Sequence, residues 1–201
     1  MELIVATGNP GKQREIGQTL RSPGIVLTTH PDLNMASVEE TGATFVENAL
    51  LKARYASQIA KRPALADDSG LEVDALGGAP GIYSARYAGT SASDEANVDK
   101  LLSALANVAD ERRTARFRCV IVVLRHALDP APMICEGCWE GRIAFERRGT
   151  GGFGYDPVFI PDGMARHASE LSPDEKNAVS HRGQALATLA NGIGPFLARH
   201  R

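Results

Sequence analysis

Two adjacent carboxylates, Asp67 and Asp68, follow a short apolar run and precede Ser69 and Gly70. Residues 64–66 are typical of a buried strand, and carboxylates at the end of such a strand are costly unless they bind something. Each charge also raises the pKa of its neighbour, which suits a general base. Because neighbouring strand residues point to opposite faces, one aspartate can face a metal while the other anchors the loop. An aspartate-rich turn with ordinary capping bonds is the structural alternative, and we favour the functional interpretation.

A glycine-containing turn, residues 7–12, follows a predicted strand and opens a predicted helix over residues 11–20. The N-terminus of a helix presents N–H groups and a positive dipole to an anion, and Lys12 adds a full charge. The segment is not a Walker A loop, because Gly8 and Gly11 are too close together and no Ser or Thr follows the lysine. Phosphate binding and a plain strand-to-helix turn are equally consistent with this segment alone.

The glycine-rich segment 149–156 formally contains the pattern GxGxxG. A Rossmann turn opens a helix, whereas Pro157 and the apolar residues 158–160 predict a short strand, so we reject dinucleotide binding. Glycines beside Phe153 and Tyr155 would let a flat molecule such as a purine base approach the backbone and an aromatic face. The structural alternative is a glycine hairpin whose aromatic rings fill the core.

A fourth candidate is Lys176 together with Ser180, His181 and Arg182, which lie close in sequence beside a predicted helix. The histidine and the arginine offer several hydrogen-bond donors. Taken alone, this group is more typical of a solvated helix face than of a binding site.

The charge balance links these candidates. The net charge is −2, which excludes a global positive field toward nucleic acid or a membrane, so any polyanion must be held by a local cluster of cations. Such cations exist in Lys12, Lys52, Lys176 and Arg182, but the acidic set Glu39, Glu40, Asp67 and Asp68 would repel a triphosphate. Magnesium binds to one or two carboxylates together with substrate phosphates, and would make both sets part of one site.

Predicted helices and strands alternate in the first part of the chain, and two long strands in the later part form a predicted hairpin. Helices are predicted from capping signals at Thr44, Ser93 and Ser172, and strands at residues 25–28, 116–124 and 133–145. The chain should end in a helix interrupted around Gly192 and Gly194. This order predicts an α/β protein with a mixed sheet.

Neither a membrane segment nor a disulfide scaffold is predicted. The N-terminal apolar run is too short for a signal peptide or a membrane span, which favours a cytoplasmic location. The three cysteines include a CxxC pair, Cys135 and Cys138, but a structural zinc site needs a second pair of ligands. We therefore favour two thiols on a strand over a metal or redox site.

Six motifs occur in one order along the chain. They are Thr7-x-Asn9-x-x-Lys12, Glu39-Glu40-Thr41-Gly42, Phe45-x-Glu47-Asn48-Ala49, Asp67-Asp68-Ser69-Gly70, Gly151-Gly152-Phe153-Gly154-Tyr155-Asp156-Pro157 and Ser180-His181-Arg182. Together they resemble the motif series of the inosine/xanthosine triphosphate pyrophosphatase family, from residue 3 to about residue 190. No single motif is decisive, but the ordered set is highly specific.

The resemblance implies an elongated mixed sheet with flanking helices, in one domain over residues 1–201 that has two lobes around a central cleft. It also implies a homodimer and Mg²⁺ as cofactor. Asp68 resembles the general base and a metal ligand, and Glu40 the second metal ligand, although Glu39 could take that place. The implied substrate-binding residues are Thr7, Gly8, Asn9, Pro10, Gly11, Lys12 and Lys52 for phosphate, Ser69, and Phe153, Gly154, Tyr155, Asp156, Lys176, His181 and Arg182 for the nucleoside.

The implied activity is hydrolysis of the α–β linkage of inosine, deoxyinosine and xanthosine triphosphates to a monophosphate and pyrophosphate. A pyrophosphatase for modified pyrimidine nucleotides and a nucleotide sensor without turnover are alternatives. Two acidic residues argue against the sensor, because a pure binder of a polyanion gains little from extra negative charge.

Overall fold

The computed structural model describes residues 1–35 and 38–198. Eleven regular elements are labelled in chain order. They are β1 (Glu2–Val5), α1 (Pro10–Thr19), β2 (Val26–Thr28), α2 (Phe45–Ala60), β3 (Ala64–Val73), α3 (Asp94–Ala104), β4 (Thr114–Leu124), β5 (Met133–Ile143), β6 (Phe159–Pro161), α4 (Pro173–Val179) and α5 (His181–Ala198). No helix within the described residues is long and apolar enough to cross a membrane.

The six strands form one sheet in the order β2-β1-β3-β4-β5-β6. Strand β1 is parallel to β2 and to β3, with Ile4 opposite Ala64, whereas β5 and β6 are antiparallel. The predicted α/β fold with a mixed sheet is therefore confirmed. Strands β4 and β5 are neighbours in the sheet, as the predicted hairpin requires.

The chain divides into two compact units, each made of separate segments. The first unit contains residues 1–68, 119–137 and 182–201, and the second contains residues 69–118 and 138–181. The chain thus passes from one unit to the other within β3, β4 and β5, and again at the start of α5.

Helices cover both faces of the strands in the first unit. On one face, Ile16 of α1 and Leu189 of α5 pack in a buried cluster with Leu3, Leu65 and Ile121. On the other face, four alanines of α2 pack against small and branched strand residues, among them Ile4, Ala64 and Ala66. Because alternate strand residues supply the two clusters, both side chains of a neighbouring pair in β1 or β3 are buried.

The second unit has its own apolar core. Val98 and Leu101 of α3 pack there with Phe117, Trp139 and Phe159 from the strands. The predicted capping signals are confirmed: Ser93 caps α3, and Thr44 and Ser172 form capping boxes at α2 and α4. These caps fix where three helices begin, and so fix the direction in which their side chains project.

Three boundary predictions were wrong. Strand β3 does not turn at Asp67 but continues through both aspartates to Val73, because basic side chains satisfy the buried carboxylates. Helix α5 is continuous through Gly192, Gly194 and Pro195, since its apolar face is held in the core by Leu189 and Ile193. The strand expected at residues 157–160 is a short 3-10 helix, Asp156–Val158, followed by β6.

Candidate active site

The loop of residues 7–12 is organised by its own side chains. The Asn9 side chain caps α1 by accepting from the Lys12 N–H at 3.1 Å, and the Thr7 hydroxyl accepts from the Asn9 N–H at 3.1 Å. Pro10 occupies the first turn, where a missing N–H costs nothing. Thr7 and Asn9 thus shape the turn, and Lys12 projects from a rigid helix start. Gly8 and Gly11 complete this segment, and Gly11 is buried.

Asp67 and Asp68 project to opposite faces of β3. Asp67 lies on the face of Leu65, toward α1 and α5, and Asp68 lies on the face of Ala66, toward α2. Both carboxylates are buried. The prediction that the pair divides between two faces is confirmed, although the pair lies inside a strand.

Asp67 is held by two cations. Its Oδ2 lies 3.1 Å from Lys12 Nζ and 3.0 Å from Arg182 Nη2. Burial alone would raise the pKa of Asp67, but Lys12 and Arg182 attract its charge and hold the pKa well below its usual range. Asp67 is therefore a permanent anion that anchors two cations, which is the anchoring role predicted for one member of the pair.

Asp68 lies in a different cluster. Its Oδ1 accepts from Lys52 Nζ at 2.7 Å, and the same ammonium contacts Glu40 at 3.1 Å. Burial raises the pKa of Asp68, and the attraction of Lys52 and Lys12 does not cancel this effect. A buried carboxylate with a raised pKa can accept a proton, as a general base must.

The Asp68 cluster fits a divalent cation. The second carboxylate oxygen, Asp68 Oδ2, is buried and has no hydrogen-bond partner among the described residues. The carboxylates of Asp68 and Glu40 both contact the ammonium of Lys52, so two oxygen ligands lie close together. Across residues 1–35 and 38–198, no group of three or more His, Cys, Asp or Glu could hold a metal alone. The arrangement therefore suits magnesium, which completes its coordination with water and substrate phosphates.

The segment that carries Glu40 is fixed to the start of α2. The Gly42 N–H donates to Asn48 Oδ1 at 2.9 Å, and Asn48 lies one helical turn before Lys52. Glu47 accepts from the N–H groups of Ala43 and Thr44. Helix α2 thus holds this segment at its backbone and, through Lys52, at the Glu40 carboxylate.

We expect Gly42→Ala to destabilise the folded chain by about 1–3 kcal/mol, the usual cost of overpacking. A Cβ at Gly42 would lie 2.6 Å from Glu47 Cβ and 2.7 Å from Asn48 Oδ1, so the segment must move. Gly17→Ala is the matched control, because Gly17 is an exposed residue of α1 and nothing lies within 4 Å of its added Cβ. Alanine is a better helix former than glycine, so this variant should be more stable than the wild type. Urea unfolding of both variants checks the prediction, and equal effects would contradict it.

A further cluster, around Asp156, lies in the second unit at the loop of residues 149–156. Asp156 is buried, and its Oδ2 accepts from the Phe153 N–H at 2.9 Å and from Lys176 Nζ at 2.5 Å. Lys176 Nζ also lies 4.7 Å from the centre of the Phe153 ring. Gly152 has a φ of 74°, and a Cβ there would lie 2.0 Å from Asp156 Oδ2, so only glycine fits. Asp156 therefore holds the backbone of this loop and also holds the Lys176 ammonium beside the Phe153 ring.

The two aromatic residues of this loop have different surroundings. Tyr155 is packed in the core, and its hydroxyl donates to the Ser84 carbonyl at 2.8 Å. This residue therefore fills the core, as expected for a glycine hairpin without a binding role. Phe153 is half-buried. The Gly154 N–H donates to Asp94 at the start of α3 at 2.7 Å. Phe153 is therefore the aromatic ring of this loop best placed to receive a flat ligand.

His181 and Arg182 are adjacent in sequence but belong to different units. The His181 ring stacks on Phe117, with 4.7 Å between centroids and 9° between planes, in the second unit. Arg182 is buried in the first unit, where it contacts Asp67 and Glu15. Ser69 directly follows Asp68 in β3 and is half-buried. The structure thus groups most of the predicted residues around three aspartates, Asp67, Asp68 and Asp156, and it places Arg182 with Asp67.

The contacts of four contributing residues were not predicted from the sequence. Glu15 contacts Arg182, Asn48 holds Gly42, Phe117 stacks on His181, and Asp94 binds the Gly154 N–H. For Glu15 a signal existed, because it lies three residues after Lys12 on one helix face. The contacts of Phe117 and Asp94 depend on tertiary packing and carry no local signal.

The CxxC pair does not form a site. Cys135 and Cys138 are three residues apart in β5, so their side chains point to opposite faces. Cys135 packs in the core of the first unit, and Cys138 Sγ lies 3.2 Å from Glu140 Oε1. Burial raises the pKa of the Cys138 thiol to about 11, and Glu140 contributes to this, so the thiol is not activated.

Comparisons with known proteins identify the family of this chain. The family model described as Ham1 matches residues 3–192. The dITP/XTP pyrophosphatase of Pectobacterium atrosepticum is 55% identical over 192 residues, covering 96% of this chain and 98% of that protein, and the one from Escherichia coli strain K12 is 53% identical with the same coverage. The solved structure of a HAM1 protein from Coxiella burnetii is 48% identical with a TM-score of 0.87, covering 97% of this chain and 99% of its own. The chain therefore belongs to the Ham1 family.

Proposed function

We propose that this protein is a magnesium-dependent nucleoside-triphosphate pyrophosphatase. It hydrolyses the α–β phosphate linkage of non-standard purine nucleotides to a monophosphate and pyrophosphate. The observation that carries the proposal is the buried carboxylate of Asp68, which has a raised pKa and one oxygen without a partner beside Lys52 and Glu40. Relatives more than 50% identical over almost the whole chain are named dITP/XTP pyrophosphatases, which supports the same activity here.

Asp68 and Glu40 are the residues that would hold the magnesium ion. Glu40 rather than Glu39 takes this role, because Glu40 shares Lys52 with Asp68 whereas Glu39 is exposed. When bound, magnesium would neutralise part of the triphosphate charge and fix the phosphates in place.

The chemistry of the chain's own residues follows from the two charge clusters. Asp68 accepts a proton from the attacking water. Lys12 and Lys52 stabilise the charge that develops on the leaving pyrophosphate. The turn of residues 7–12 holds Lys12 at the start of α1, so its ammonium needs little reorganisation.

The nucleoside is assigned to the residues around Phe153. The half-buried ring offers a stacking face, and Lys176 supplies a cation beside it. Hypoxanthine and xanthine carry an oxygen at C6, whereas adenine carries an amino group, so a donor such as Lys176 favours the former. A site built around one hydrogen bond can discriminate by about 10⁴ or more against an analogue that leaves it unpaired.

Three further properties belong to this proposal. The enzyme is a single domain over its whole length, it acts as a homodimer, and it works in the cytoplasm. None of the three cysteines, which all lie within the described residues, forms a disulfide, and this suits the reducing conditions of that compartment. Gel filtration with light scattering tests the dimer, and a monomer at micromolar concentration would contradict it.

A direct assay tests the activity. The protein is incubated with inosine, guanosine and adenosine triphosphates, with and without magnesium, and pyrophosphate is measured separately from orthophosphate. We expect magnesium-dependent pyrophosphate release from inosine triphosphate and little from the other two. Orthophosphate release, equal rates on all three, or faster hydrolysis of thymidine or uridine triphosphate would contradict the proposal.

A further inference from the structure

Asn48 is a fully buried amide near the start of α2, and its two polar atoms have different surroundings. Its Oδ1 accepts from the Gly42 N–H at 2.9 Å. Its Nδ2 is also buried, but no residue in the ranges 1–35 and 38–198 accepts a hydrogen bond from it. A buried donor without a partner weakens the fold, and a leucine of similar shape would avoid this loss. The hydrogen bond to Gly42 is therefore the contact that only the asparagine supplies.

This contact lies close to Glu40, the proposed metal ligand. Glu40 belongs to the segment of residues 38–44, which forms neither a helix nor a strand. Gly42 follows Glu40 by two residues, and Asn48 ties its N–H to α2. The contacts that Glu47 makes with the same segment lie one and two residues further along the chain. Asn48 thus holds the backbone nearer to Glu40 than Glu47 does.

Helix α2 holds the segment at two points, through side chains one turn apart. Asn48 and Lys52 are four residues apart and project from one face of the helix. Asn48 binds the backbone at Gly42, and Lys52 Nζ contacts Glu40 Oε1 at 3.1 Å. If Oε1 turns from Lys52 toward a metal ion, the contact with Lys52 is lost and the contact through Asn48 remains.

We propose that Asn48 is a positioning residue that holds Glu40 ready for a divalent cation before the nucleotide binds. The inference rests on the proposed function, specifically on Glu40 as a ligand of magnesium. Asn48 acts through the backbone at Gly42. A ligand that is already held in place loses less conformational freedom when it binds, so the affinity is higher. Loss of a group that orients a metal ligand typically lowers metal affinity about 10–100-fold.

The test measures Mn²⁺ binding to the nucleotide-free protein by electron paramagnetic resonance of the free ion, since carboxylate sites for magnesium also accept manganese. Asn48→Leu removes the acceptor and keeps the shape, and we expect the Mn²⁺ affinity to fall about tenfold. Glu40→Gln removes the ligand and identifies the site. Ala56→Gly is the control, because it weakens α2 on the side that packs against the strands and should bind Mn²⁺ like the wild type. Urea unfolding gives the folded fraction of each variant.

The outcomes separate this inference from the function beneath it. If Glu40→Gln lowers the Mn²⁺ affinity and Asn48→Leu does not, Asn48 is not a positioning residue, and the proposed function stands. An equal fall in Ala56→Gly would show a general loosening of α2 and would overturn the inference. Equal binding by the wild type and Glu40→Gln would overturn both the inference and the assignment of Glu40 to the metal. Should Asn48→Leu fail to fold, Asn48→Ala decides.

Discussion

Asp68→Asn should lower turnover by about 10²–10⁴-fold, the usual contribution of a general base, while the folded chain keeps its stability. The substitution removes the proton acceptor and leaves the shape of the side chain. Lys52 retains Glu40 as its partner. Because burial raises the pKa of Asp68, folding gains little from its charge, so the free energy of unfolding should change by less than about 1.5 kcal/mol.

Single-turnover assays at saturating magnesium, with urea unfolding of the same preparation, check this expectation. Binding of inosine triphosphate should persist, since Lys12 and Lys52 remain in place. Normal turnover in the variant would remove Asp68 from the reaction. Lost turnover with an equal loss of stability would mean that the carboxylate is structural.

Asp67→Asn should mainly lower the stability of the fold, whereas the substitution of the adjacent Asp68 should mainly lower turnover. Lys12 and Arg182 both depend on this carboxylate, and its loss leaves two poorly compensated cations in a buried position. Breaking a buried ion pair by removing one partner costs about 3–5 kcal/mol. We therefore expect a large fall in the free energy of unfolding, measured in urea at pH 7.

The pH dependence of this loss provides a control. Burial opposes the charge on Asp67, but Lys12 and Arg182 lower its pKa below the unfolded value of about 4. Its charge therefore stabilises the fold above pH 4, and the contribution is lost as the pH falls toward the lower folded value. The difference in stability between wild type and variant should be complete at pH 7 and should shrink below pH 4. A constant difference would show that the loss does not come from the charge.

Local signals in the sequence were sufficient for most elements and for the identity of the clusters. Caps at Thr44, Ser93 and Ser172 mark helix starts, because capping depends on residues three positions apart. The acidic pair was singled out correctly as buried and divided between two faces. The end of β3 was misplaced, because the cations that stabilise Asp67 come from α1 and α5, which are distant in sequence.

Partners within each cluster were harder to predict for the same reason. The resemblance places His181 and Arg182 together in the nucleoside-binding set, but the chain leaves the second unit between them, so His181 contacts Phe117 and Arg182 contacts Asp67. Adjacency in sequence says little about surroundings at such a point. The contacts of Glu15 and Asn48 appear only when helices are placed beside the loops that they hold.

The division of the chain into interleaved units has a consequence for biosynthesis. The core of the first unit needs Leu186, Leu189 and Ile193 of α5 to cover Leu3, Val5 and Leu65. Those strands leave the ribosome long before α5 is made, so one apolar face stays uncovered during most of translation. Contacts between segments so far apart in sequence form slowly, and exposed apolar surface promotes aggregation. We therefore expect the nascent chain of this protein to be prone to aggregation until α5 has been made.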